Sequence, residues 1–149
     1  ADMSEADIRA KLKTILSGVS NVGLVHDYRR NAASDAAFIA LFKTQIGGVD
    51  QIRGWQIYRE AATEETKTTA APHNYVLEGY MGVQDSAATE KTFNALIEAV
   101  RAAFRADLTL YNAGNGHKAL QVPVINELSF GGILCHHARC TLEVWDHIT

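Results

Sequence analysis

The densest set of potentially reactive side chains in this 149-residue chain is Cys135-His136-His137 with Cys140. Imidazole and thiolate are zinc ligands, and a structural zinc site needs four of them converging on one point. Successive side chains on a strand alternate between faces, so Cys135 and His137 would point one way and His136 and Cys140 the other. At most two ligands then meet on either side, and the spacing matches no common zinc pattern. The same odd spacing keeps the two cysteines from bridging if they share a strand. Two buried free thiols are expected, with no metal, and these suit a reducing cytoplasm.

Other clusters carry less. Covalent catalysis needs a nucleophile, a base and an orienting group, and no Gly-x-Ser-x-Gly turn or similar local signature occurs. Asn112 to Lys118 has glycines at 114 and 116 but lacks the Gly-Lys-Ser/Thr ending of a phosphate loop, so it reads as a turn. Glu64 and Glu65, with Lys67 nearby, sit in a polar stretch where neither burial nor a partner would tune a carboxylate. Arg53, Trp55 and Arg59 fall on one face of one extended run, the nearest approach to a basic and aromatic nucleic-acid platform. The plainer reading of that face is a solvated surface with one packed Trp. No catalytic set and no cofactor site emerges, and a docking domain rather than an enzyme is expected.

The elements that would position these residues follow from periodicity. Ser4-Glu5-Ala6-Asp7 approximates a capping box, and Ile8, Leu12, Ile15 and Leu16 then form one apolar helix face up to Gly18. Val22 to Val25 suits a short strand ending near His26, and Asp27 to Ala33 a polar loop. Ser34-Asp35 caps a short helix carrying Phe38, Leu41 and Phe42, which Gly47-Gly48 is expected to break. From Ile52 to Ala61 the pattern alternates, with mixed faces, one of which would meet another subunit.

Thr63 to Pro72 has no large apolar residue, so residues 62–74 are expected to form a long flexible hairpin loop. Asn74 to Val83 returns to strand, with Tyr75, Leu77 and Met81 on one face and Val76, Glu78 and Tyr80 on the other. Ser86 to Arg105 is the strongest element, its Phe93, Leu96, Ile97, Val100 and Phe104 forming a continuous stripe. Two extended runs, Leu120 to Phe130 and Ile133 to Trp145, meet at Gly131-Gly132. In the second run one face is mostly apolar and the other mostly polar, as in an antiparallel sheet with one wet side.

The expected fold is one α+β domain over residues 1–149, with an antiparallel sheet of four to five strands and helices packed on one face. A chain this long buries roughly 70% of the surface it exposes when unfolded. A net charge of -3 gives no global attraction to nucleic acid or anionic membrane. No apolar run reaches the roughly 20 residues of a membrane span, and Ala1 to Lys13 lacks the apolar core of a signal peptide.

Three blocks carry a family likeness. They are His73-Asn74-Tyr75-Val76-Leu77-Glu78-Gly79-Tyr80-Met81-Gly82-Val83, the helix centre Phe93-Asn94-Ala95-Leu96-Ile97-Glu98-Ala99-Val100, and Leu134 to Val144. Together they resemble the tail terminator (tail completion) proteins of long-tailed bacteriophages, well over the second half of the chain and by element order over the first. The resemblance implies an α+β subunit forming a ring, usually a hexamer, that caps the tail tube and ends its polymerisation. It implies contacts with the tail tube protein and with a neck or head-completion connector. Genomic DNA would pass through the lumen without sequence-specific binding. It brings neither enzymatic activity nor a cofactor, and it places the protein in the virion, at the head-proximal end of a tail assembled in the host cytoplasm.

A ring needs two different patches on each copy. Arg53, Trp55 and Arg59, and the loop with Glu64, Glu65 and Lys67, are the expected interface residues. Another head-to-tail connector subunit is the nearest alternative. A small metal-binding or catalytic domain using His136, His137 and the cysteines, or a nucleic-acid binder using Arg53, Trp55 and Arg59, belongs to a different class.

Overall fold

A computed structural model describes residues 4–62, 70–107, 116–117 and 119–147. The elements run α1 (Glu5–Ser17), β1 (Leu24–His26), α2 (Asp35–Ala40), β2 (Lys43–Ile46), β3 (Val49–Ala62) and β4 (Ala70–Gly82). After a single 3-10 turn at Asp85–Ala87 come α3 (Thr89–Ala106), β5 (Gly116–His117), β6 (Gln121–Phe130) and β7 (Ile133–His147). The fold is mixed α+β around one sheet.

The sheet runs in the order β1-β3-β4-β7-β5, with β2 paired to β3 and β6 to β7. Its spine is the long antiparallel pairing of β4 with β7, from Ala70 opposite His147 to Gly82 opposite Cys135. β3 lies antiparallel on the other side of β4, and β6 antiparallel to β7. β1 departs from the expected all-antiparallel sheet: it runs parallel to β3, Leu24 opposite Gly54 and His26 opposite Gln56. With β2 and β5 the strands among the described residues number seven rather than four to five. Gly47-Gly48, read in sequence as a helix stop, is the turn of the β2–β3 hairpin, both glycines having positive φ.

The two main helices form where periodicity placed them. Ser4 caps α1, its hydroxyl accepting from the Asp7 N–H at 3.1 Å while the Asp7 carboxylate accepts from the Ser4 N–H at 3.2 Å. Ile8, Leu12, Ile15 and Leu16 are buried on α1, as are Phe93, Leu96, Ile97, Val100 and Phe104 on α3. Both stripes lie on one face of the sheet, over Trp55, Ile57, Tyr75, Leu77, Met81, Ala138, Cys140, Leu142 and Val144. Gly79 has a specific reason to be glycine: a Cβ there would stand 2.6 Å from the Trp55 ring.

The opposite face is not simply wet. The short α2 lies there, so the three helices do not all share one side. Phe38 and Phe42 pack on Tyr80, with ring centroids 5.5 and 4.9 Å away. Phe130 closes on Phe38 at 5.0 Å. Cys135, His137, Val76 and Tyr80 are accordingly buried on the face whose alternation had suggested solvent. The β3–β4 connection is shorter than expected, because strand continues to Ala62 and resumes at Ala70. Residues 63–69, which hold most of the predicted loop, lie outside the described residues, as does most of the predicted turn from Asn112 to His117.

Candidate functional site

β7 separates the histidines and cysteines as strand geometry requires. His136 and Cys140 face α1 and α3, while Cys135 and His137 face α2. The His136 Nε2 lies 2.9 Å from the Thr89 hydroxyl, and its ring stacks on Phe93 at 5.6 Å between centroids. Cys140 is fully buried, and burial pushes its thiol up to about 12; Cys135 is pushed up for the same reason. Among the described residues no three His, Cys, Asp or Glu side chains are grouped to hold a metal ion.

Trp55 and Arg53 are not on an outward face. Trp55 is wholly inside the core and Arg53 is 8% exposed. The Arg53 guanidinium donates to the Asn21 carbonyl at 3.3 Å and to Gln51 Oε1 at 3.0 Å. Two of the three members of the proposed platform therefore spend their surface inside the domain. The alternation correctly grouped them but gave no direction, and α1 and α3 take that face. Arg59, further along β3, is exposed. Glu64, Glu65 and Lys67 lie outside the described residues.

The most connected polar cluster is one that sequence reasoning missed. Glu78, on β4, projects between β3 and β7 beneath the α2 aromatics. Its carboxylate accepts from the Tyr58 hydroxyl, from the Tyr80 hydroxyl at 2.7 Å, and meets His137 Nε2 at 3.2 Å. His137 Nδ1 lies 2.7 Å from Asn126 Oδ1 on β6. Gln56 continues the cluster, donating to the Tyr80 oxygen at 3.3 Å and accepting from the Arg30 N–H at 3.0 Å. Cross-strand register brings Gln56 opposite Glu78 and Tyr80 opposite His137. Periodicity along a single strand cannot supply that information.

The electrostatics decide what this cluster can do. Burial disfavours the Glu78 carboxylate, but the hydrogen bonds from His137, Tyr58 and Tyr80 outweigh it and hold the group near 2. Burial and the bond to Glu78 push Tyr58 up to about 12 and Tyr80 higher still. A carboxylate that acidic is a poor proton acceptor at neutral pH, and phenols held that high are poor nucleophiles. The arrangement locks β3, β4, β6 and β7 together more readily than it moves protons.

Among the described residues, large apolar side chains are exposed at several places besides Leu24 and Tyr28. One place is the end of the sheet that holds both the β2–β3 and the β6–β7 turns, with Val49 58% and Leu134 47% exposed, the latter next to Ile133. An open groove of about 710 Å³ runs past Ile133 and Leu134, lined also by Ile52, Met81 and Val83 and by Lys43, Asp50 and Asp85. Another is β6, where Ile125 is 50% exposed and Val124 lies beside it. No helix among the described residues is long and apolar enough to cross a membrane. No protein-family model matches the chain, and no curated protein matches it.

Proposed function

We propose that this chain is a ring-forming structural subunit of the phage tail terminator type, which caps the tail tube and presents a surface to the neck of the head. The resemblance of the three sequence blocks suggests the role. The observation set beside it is that large apolar side chains are exposed at two places on one small domain, Ile133 and Leu134 at the turn end of the sheet and Val124 and Ile125 on β6. Exposure at two distinct places suits a subunit that meets unlike neighbours. The Glu78 cluster supports the same reading, since its groups are tuned toward inertness.

The deciding experiment is assembly of tails without this protein. Overlong or uncapped tubes are expected, together with rings of the purified protein in electron micrographs. Tails of normal length that merely fail to join heads would transfer the protein to the neck and overturn the terminator role.

A further inference from the structure

β6 is a sheet edge. β7 takes its inner side, and no strand among the described residues takes its outer side. Such edges are ordinarily blunted by proline, bulges or charge, because their free N–H and C=O groups recruit other chains. Here the proline and the bulge fall at the beginning, and Glu127 is the one charge that follows. Pro123 and the register shift between Gln121 and Val124 guard the first residues, and Val124 to Phe130 are left open. Phe130 opposite Ile133 closes a two-residue turn at Gly131-Gly132, both with positive φ. The alternation of an antiparallel ladder from that closing pair turns the N–H and C=O of Ser129, Glu127 and Ile125 outward.

A second edge lies at the other side of the sheet. β1 covers β3 only from Gly54 to Gln56, and from Tyr58 to Ala62 β3 has no strand beyond it among the described residues. Directions alternate from β3 to β4 to β7 to β6. β6 therefore runs opposite to β3, so the two edges of neighbouring copies, laid side by side, meet antiparallel. Their faces also agree. Glu127 stands opposite His136, on the side of α1 and α3, and Arg59 stands opposite Tyr75 on that same side. Both are exposed. Placing Arg59 against Glu127 brings Tyr58 against Leu128 on the other face, each half-buried in the free chain.

We infer that the outer edge of β6 docks antiparallel on the distal edge of β3 in a second copy of this chain, with Glu127 against Arg59. The inference rests on the ring reading and specifies its subunit contact. Because two different edges meet, the contact is head-to-tail and propagates from copy to copy, as a ring requires. A two-fold pairing of β6 with itself would leave Glu127 without an opposing cation.

The test mixes two single variants, Arg59→Cys and Glu127→Cys, under mild oxidation. A disulfide between the two, formed by neither variant alone, is the expected result. A Glu127→Cys homodimer would overturn the head-to-tail pairing. In parallel, Glu127→Arg should weaken each junction by about tenfold, and Arg59→Glu in the same chain should restore it. Unimpaired assembly of both single charge reversals would overturn the edge contact while leaving the ring reading intact. Cross-linked open chains in place of rings would sink the ring reading and keep the contact.

Discussion

Replacing Glu78 by glutamine keeps the side chain's size and removes the charge that Tyr58, Tyr80 and His137 surround. The native carboxyl sits near 2 against an ordinary value of 4.5. At about 1.4 kcal/mol for each unit of difference, full conversion would correspond to about 3 kcal/mol. The Glu78 side chain retains 15% of its exposure, so solvent screens part of the interaction and about 1–2 kcal/mol is expected at neutral pH. The sign follows from linkage: a depressed native value stabilises the fold above 4.5, and the contribution disappears as pH falls toward 2. Urea unfolding, followed by the fluorescence of Trp55 and Trp145, measures this directly. Glu78→Gln should be less stable than the parent at neutral pH, and the gap should close as the solution is acidified through that window. A variant as stable as the parent at neutral pH, or a gap that stays constant down to the acid limit, would refute the argument.

Gly79→Ala forces a methyl group to within 2.6 Å of the Trp55 ring, and overpacking of this kind should cost about 1–3 kcal/mol; an unchanged near-ultraviolet Trp signal and midpoint would count against it. Ser4→Ala removes the hydroxyl that accepts from Asp7 and should lower stability by about 1 kcal/mol, read by denaturant titration. Cys140 is inside the core with its thiol pushed up to about 12, so its reaction with a thiol reagent should proceed only as fast as the domain opens, and rapid labelling of the native protein would contradict the placement.

The helical half of this fold was legible because its signal is local. The stripes Ile8 to Leu16 and Phe93 to Phe104 need only 3.6-residue periodicity and one large apolar partner, and both are buried as expected. The hairpin at Gly131-Gly132 and the division of β7 into two faces were equally readable. What alternation cannot supply is direction. Trp55 and Arg53 were grouped correctly, yet nothing in β3 itself says which face the helices will cover. Gly47-Gly48 was ambiguous for another reason: paired glycines end a helix and turn a hairpin equally well, and β2 is too short to declare itself. The Glu78 cluster draws Tyr58, Glu78, Asn126 and His137 from four strands, so only the cross-strand register assembles it.

The pairing of β4 with β7 also constrains how the domain comes together in time. Gly82 waits for Cys135 and Ala70 for His147, with α3 and β6 made in between. Until β7 arrives, β3 and β4 form a hairpin whose inner side is an open edge, and the stripe of α3 has only half a sheet to rest on. Contacts so distant along the chain form slowly, and unpaired edges in the interval invite the wrong strand. Closure of the sheet by β7 therefore has to outrun pairing of the open β4 edge with any other strand.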